Sequence, residues 1–299
     1  MSILVFGATG LIGNRLVRTL SEDFDVFGTT RQFKFPNPKF YQLLKKENWL
    51  IISDLKRMFE IETKIKLLKP NVIVNCLGIT KQKAGAFDIQ ECVTVNALFP
   101  HQLSTICREL DIRLIHFSTD CVFSGQKGNY TEDDIPDPTD TYGRTKVLGE
   151  LLNDHDLTIR TSFVGREISS FKNLFEWVIQ NKNKKVQAYP NAIYSGLTTH
   201  ALSQIIKTII IKQPTLSGLR HVGSEPVSKY ELLSNLNREL ALKMDIQKDE
   251  SFICDRSLNS DSFRKETLIK IPNWSEMIKE FIDDQSWYDE LVKSDLSRS

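Results

Sequence analysis

Cysteine is scarce in this chain, and the five present, Cys76, Cys92, Cys107, Cys121 and Cys254, form no Cys-x-x-Cys pair. An odd, scattered set excludes a disulfide framework and points to the cytosol. The five histidines, His101, His116, His155, His200 and His221, form no cluster, so no metal site is expected. No apolar stretch reaches the length of a membrane span. No signal peptide is expected before Ile3, because a strand expected to start there leaves no room for a targeting segment. Charge of one sign is also missing. A net charge of +1 gives no reason to expect nucleic acid or an anionic membrane as partner. Repeats and low-complexity tracts are absent, and the polar tail from Lys293 to Ser299 is expected to fray. What remains is an ordinary globular composition. With 40% hydrophobic content, 299 residues can build one large domain or two modest ones.

The N-terminus carries the first positive signal. Ile3-Leu-Val-Phe6 reads as a buried parallel strand, Gly7-Ala-Thr-Gly10-Leu-Ile-Gly13 follows at once, and Leu16, Val17 and Leu20 then recur at helical spacing. Strand, glycine turn and helix in that order form the context of a dinucleotide fingerprint. Gly7 permits the tight turn, Gly10 lets backbone amides approach a pyrophosphate, and Gly13 allows the helix to pack on the strand. Leu11 and Ile12 lie at the helix N-terminus, whose positive end suits phosphate. The spacing is Gly-x-x-Gly-x-x-Gly, and the plain alternative is a glycine-rich turn with no ligand.

Further strands are expected at Phe24–Thr30, Trp49–Ile52, Asn71–Gly78 and Arg113–Ser118, with helical runs at Ile61–Leu68 and Asn96–Leu110. Alternation of this kind predicts an α/β fold, a doubly wound parallel (Rossmann) sheet. The second strand closes on Thr29-Thr30-Arg31 with no carboxylate for a ribose 2′-hydroxyl. An arginine there suits a 2′-phosphate, so NADP(H) is the expected cofactor; the alternative is a solvated loop charge. Asp54, beside Leu55, could accept from the adenine amino group or cap the next helix.

Tyr142-Gly-Arg-Thr-Lys146 places a phenol and an ammonium on one helix face. A nearby lysine charge favours the phenolate, which suits the pair to move a proton on or off a carbonyl or alcohol oxygen. Alone, the spacing is common and also fits a solvated face. Ser118-Thr-Asp-Cys-Val-Phe-Ser-Gly125 follows the fifth strand, at the carboxyl end where ligands bind such sheets. Ser118 and Thr119 can each donate to a substrate oxygen. Asp120 can accept from sugar hydroxyls, or it can simply close a turn on its own backbone.

With these blocks in place, the chain resembles an extended short-chain dehydrogenase/reductase, and within that superfamily the dTDP-4-dehydrorhamnose reductases. The resemblance rests on residues 7–13, 118–125, Tyr130–Pro136, Tyr142–Glu150 and Ile159–Gly165. Looser matches follow at Gly196–Thr199, Val227–Leu232, Arg256–Ser260 and Pro272–Trp274. It implies that Tyr142 is the general acid, that Lys146 lowers its pKa and bonds the nicotinamide ribose, and that Thr119 polarises the substrate carbonyl. It also implies that Cys76, Leu77 and Gly78 line the cofactor together with Ser118 and Phe163, and that Asp120, Val122 and Phe123 border the sugar. This chain departs from the family in having Cys121 where a tyrosine is usual, which leaves the particular sugar open.

Residues 1–165 are assigned to the NADP-binding domain. Residues 166–299 are assigned to a smaller C-terminal α/β substrate lobe, with 196–212 packing back on the first. Helices are expected at Phe171–Gln180, His200–Ile211, Ser228–Leu240 and Pro272–Ile282. Arg256 is a candidate diphosphate or sugar contact, with a surface ion pair as the alternative. The function expected is a cytosolic NADPH-dependent reductase of a nucleotide-linked 4-keto-6-deoxy sugar, with a homodimer left open. A sugar-nucleotide epimerase on the same scaffold and a non-catalytic NADP-binding regulatory subunit are the competing readings.

Overall fold

Strand β1 (Ser2–Phe6) shows why the chain folds as it does. Its side chains alternate between two separate cores. Ile3 and Val5 enter one with Leu16, Val17 and Leu20; Leu4 and Phe6 enter the other with Ile61, Ile65 and Phe99. A strand covered on both faces needs an unbroken apolar run, and parallel crossovers provide the cover. The structure, a computed structural model, describes residues 1–32, 38–80, 88–168 and 173–296.

The other strands of the main sheet are β2 (Asp25–Thr30), β3 (Trp49–Ile51), β4 (Val72–Asn75), β5 (Arg113–Phe117), β6 (Leu157–Arg160) and β11 (Gly218–His221). Their order is β11-β6-β5-β4-β1-β2-β3, and every pairing is parallel. The doubly wound sheet expected from the sequence is present: β1 to β5 lie within a few residues of their expected places, and β6 was not expected. Helices α1 (Leu11–Leu20), α2 (Met58–Leu68) and α3 (Phe99–Glu109) flank it. A helical turn at Ile89–Val93 and a π turn at Thr94–Leu98 lead into α3. Helix α4 (Thr141–Leu148) carries the Tyr-Lys pair; Asp140 caps it by accepting from the Gly143 amide at 2.8 Å.

Beyond residue 165 the chain serves both parts of the molecule. Edge strand β11 was not expected, because Gly218-Leu-Arg-His221 is short and only its last residue is fully buried. Helix α6 (Thr199–Lys212) packs on α1. Between them the chain builds small sheets from β7 (Phe163–Val164), β8 (Lys185–Ala188), β9 (Ala192–Tyr194), β10 (Leu197–Thr198), β12 (Val227–Ser228), β13 (Asp245–Lys248) and β14 (Cys254–Asp255).

Helix α5 (Leu174–Gln180) falls within the expected Phe171–Gln180 run, whose first residues, 171 and 172, lie outside the described ones. Helix α7 (Lys229–Glu239) starts on a Ser228/Glu231 capping box, and helix α9 (Trp274–Asp283) on an Asn273/Glu276 box. Helix α8 (Asp261–Thr267) lies between them. The tail is a correction: residues 293–296, expected to fray, belong to helix α10 (Gln285–Leu296). Buried Tyr288 holds that helix by donating to Asn14 Oδ1 of α1 at 2.8 Å.

One ion pair crosses several of these elements. Arg160 at the end of β6 meets Glu150, just past α4, through two bonds of 2.7 Å, and both side chains are buried. Breaking a buried pair leaves an uncompensated charge. Arg160→Met should therefore lower unfolding stability by about 3–5 kcal/mol. Glu150→Leu combined with Arg160→Met should lose clearly less than the sum of the single variants. Urea unfolding midpoints of the four proteins check this; additive losses would contradict it.

Candidate active site

An open cavity of about 580 Å³ lies at the carboxyl ends of β1, β2, β3 and β4. Gly7, Gly10, Arg31, Asp54, Leu55, Cys76, Leu77 and Gly78 line it, as the sequence suggests. The glycine turn has the expected mechanics. Gly7 sits at φ +74°, and a Cβ on Gly13 would lie 2.0 Å from the Gly7 carbonyl oxygen, so helix and strand approach this closely only without a side chain. Gly10 begins α1 with no side-chain cap, which leaves the first amides of the helix to be satisfied by a ligand or solvent. Ile12 packs into the core, so only its backbone is available there. A narrow turn with bare amides suits the pyrophosphate of a dinucleotide.

The sequence reading missed several wall residues. Thr30, Ser53 and Lys56 line the cavity along with Arg31, and so do Asp88, Gln90, Glu91 and Thr94. Lys56 could have been found as a cation just past the third strand; the second group could not, because only the tertiary fold brings it near. Asp54 does not cap α2, which begins after Arg57 with no side-chain cap. Its carboxylate accepts from the Lys56 amide at 2.9 Å.

At the β4 end, Asn75 Oδ1 accepts from the Leu77 amide at 3.1 Å. The Asn75 amide therefore donates to buried His116 Nδ1, also at 3.1 Å. Cys76 belongs both to the cavity wall and to the surroundings of Lys146, whose charge it feels. Lys146 is 3% exposed and donates to the Phe117 carbonyl at 2.6 Å. Burial pushes its ammonium down to about 8, against the opposing pull of Glu150 and Cys76. Phe163 packs edge-on against Phe117, ring centroids 6.3 Å apart.

Tyr142, half-buried, faces Thr119 closely enough for the two hydroxyl groups to interact. The direction expected for its phenol is reversed. Burial raises it well above its ordinary value; neighbouring Cys121 and Asp120 push the same way, and Thr119 opposes them. The Lys146 ammonium is directed at a backbone carbonyl, and desolvation of the phenol dominates.

The loop after β5 brings further corrections. The Ser118 hydroxyl donates to Glu150 at 2.6 Å, so its one proton is not available to a ligand. Thr119, not Asp120, makes the local turn: its oxygen accepts from the Cys121 amide at 3.2 Å while its hydroxyl donates to Asp120. Burial raises the Asp120 carboxyl, opposed by Arg256 and by hydrogen bonds from Cys121, Thr119 and Ser162.

The side chains of Val122 and Phe123 face an apolar cluster rather than the polar side of the loop. Both are completely buried with Tyr130 and Leu258, and Phe123 stacks on Tyr130 at 4.0 Å. The turn at Asp120–Val122 sends them beneath the loop. Among the described residues Arg256 makes no surface ion pair. It clamps the loop by donating to the Phe123 carbonyl at 2.9 Å and to Cys121 Sγ at 3.5 Å. Burial pushes the Cys121 thiol up to about 12, which makes it unreactive near neutral pH.

A seven-stranded parallel sheet with a glycine turn under an open cavity, and a Tyr-Lys helix beside it, defines a protein of the short-chain dehydrogenase/reductase class. The chain belongs to the family described as "RmlD substrate binding domain", whose model matches residues 1–286. It is 33% identical over 170 residues to a probable low-salt glycan biosynthesis reductase, Agl14, of Haloferax volcanii, covering 55% of this chain and 54% of that one. The chain thus spans about half the length of that relative. It is 27% identical over 241 residues to a dTDP-4-dehydrorhamnose reductase of Aggregatibacter actinomycetemcomitans, covering 77% and 76%. Its fold matches the dTDP-4-dehydrorhamnose reductase of Bacillus anthracis solved in complex with NADP, with a TM-score of 0.79, 19% identity and coverage of 95% and 99%.

The depressed lysine gives a pH signature. Lys146 releases its proton near pH 8 in the folded protein and near 10.5 when unfolded. Between those values the unfolded chain holds more protons, so this group makes stability rise with pH. The stability of the cofactor-free protein should therefore climb relative to Lys146→Met from pH 8 to pH 10. Urea midpoints across that range test the assignment, and parallel profiles would refute it.

Proposed function

We propose that this chain is an NADP-dependent reductase that converts the 4-keto group of a nucleotide-linked 6-deoxy sugar to an alcohol. The observation that carries the reading is the approach of Thr119 to Tyr142, on the helix whose buried Lys146 neighbours Cys76 in the cavity wall. A bound nicotinamide cofactor supplies the hydride that reduces C4.

The chain's own groups account for the proton. A phenol held above its ordinary pKa stays protonated near neutral pH, so Tyr142 enters the reaction as an acid. Thr119 would turn its one hydroxyl proton from Asp120 to the carbonyl oxygen as negative charge builds there. Tyr142 then donates its proton to that oxygen. The NADP preference is supported by Arg31 and Lys56, two cations in the cavity lining that could meet a 2′-phosphate. The sugar class is supported by the reductases named among the relatives.

NADPH oxidation against a panel of nucleotide-4-keto-6-deoxy sugars is the direct test; turnover of none of them by the purified chain would end the proposal. Tyr142→Phe should keep NADPH affinity and reduce kcat by ~100- to 10,000-fold. Arg31→Ala and Lys56→Ala should each weaken NADPH more than NADH in direct titrations, and equal losses would remove the 2′-phosphate assignment.

A further inference from the structure

Tyr194, the last residue of β9, carries a phenol that the chemistry above does not use. It is 9% exposed, and its hydroxyl is a buried polar atom with no hydrogen-bond partner among the described residues. An unsatisfied buried hydroxyl is unfavourable and uncommon. The surroundings hold the ring in place. Its centroid lies 5.7 Å from that of Trp274, and a Cβ on Gly196 would come within 2.4 Å of its Cε2. Gly196 therefore makes the room that the ring occupies. The same imagined Cβ would lie 3.2 Å from the Ser162 carbonyl, which puts the ring beside Ser162.

Ser162 leads from that phenol to the reacting groups. Its side chain lies close enough to the Asp120 carboxylate to favour its charged form, and Asp120 accepts from Thr119 at 3.2 Å. The Asp120 charge also acts on the Tyr194 phenol, adding to the upward push of burial. Tyr194, Ser162, Asp120, Thr119 and Tyr142 thus form one polar seam, with a proton donor that lacks an acceptor at one end and the carbonyl-holding hydroxyls at the other.

We propose that Tyr194 determines substrate specificity: its phenol donates to the sugar hydroxyl on C3, and that hydroxyl donates to Asp120. The position on the ring follows from adjacency. Thr119 holds the oxygen on C4 and Asp120 is its bonded neighbour, so the hydroxyl on the next ring carbon is the one within reach. A hydroxyl both donates and accepts, which satisfies Tyr194 and Asp120 together. A site built this way rejects a sugar lacking that hydroxyl, because the phenol stays buried without a partner. The inference takes its substrate class from the reductase reading.

The test compares wild type and Tyr194→Phe on dTDP-4-dehydrorhamnose and its 3-deoxy analogue. Wild type should favour the hydroxylated sugar. Tyr194→Phe should lose roughly 10-fold or more in kcat/KM on that sugar and almost nothing on the analogue. Urea unfolding of the free variant should be unchanged or shifted to higher urea, since an unpaired hydroxyl has been removed. Equal losses on both sugars, no loss on either, or a destabilised variant would overturn the role. Calorimetric binding of the reduced, 4-hydroxy sugar nucleotide and its 3-deoxy form makes the same comparison without turnover. An inactive wild type would thus count against the reductase reading while Tyr194 is still judged by binding.

Discussion

The buried Glu150–Arg160 pair ties the reactive end of the molecule together. Glu150 lies just past the helix that carries Tyr142 and Lys146, and it also accepts a hydrogen bond from the Ser118 hydroxyl just after β5. Arg160 ends β6, lies 5.1 Å above the Phe123 ring, and donates to His221 Nε2 on β11 at 3.2 Å. His221 must donate from Nδ1, because its partner there is the Tyr130 carbonyl, so Nε2 is left to accept. Burial, with the Arg160 charge acting the same way, holds this histidine down to about 4 and keeps it neutral. Two charges removed from water bring little net stability. Here they bring registration: one guanidinium fixes helix, loop and two strands relative to each other.

That registration sets the proton chemistry. Tyr142 and Lys146 respond to the same burial in opposite directions, because desolvation disfavours whichever form is charged. The phenol is kept as an acid, and the ammonium is brought toward neutrality while directed at a backbone carbonyl. A ligand that closes over these groups would change both environments. The site of the free protein is therefore poised to donate a proton, and its charge balance depends on what fills the neighbouring cavity.

Sequence patterns made the dinucleotide half legible because its requirements are local. A turn that admits no Cβ must be glycine, and a strand covered on both faces must be apolar at every position. The substrate half was harder to read because its roles depend on partners remote in the chain. Ser118 looks like a ligand donor until Glu150 is placed beside it. Val122 and Phe123 look like sugar contacts until Tyr130 and Leu258 close over them. Arg256 looks like a phosphate fork until it meets the carbonyls of a loop more than a hundred residues away. Tyr194 had no signal at all, since an isolated aromatic in a short strand is ordinary core.

From the residues alone came the strand and helix order, the cofactor turn, the Tyr-Lys spacing and the family to which they belong. Each depends on contacts within a few residues or on a fixed backbone period. Packing alone decided which hydroxyls near the reacting carbon remain available and in which direction each pKa moves. It also settled where the last helix docks and which buried phenol lacks a partner. Those properties arise from desolvation and from neighbours brought together across long stretches of chain, and neither is defined until the chain has folded.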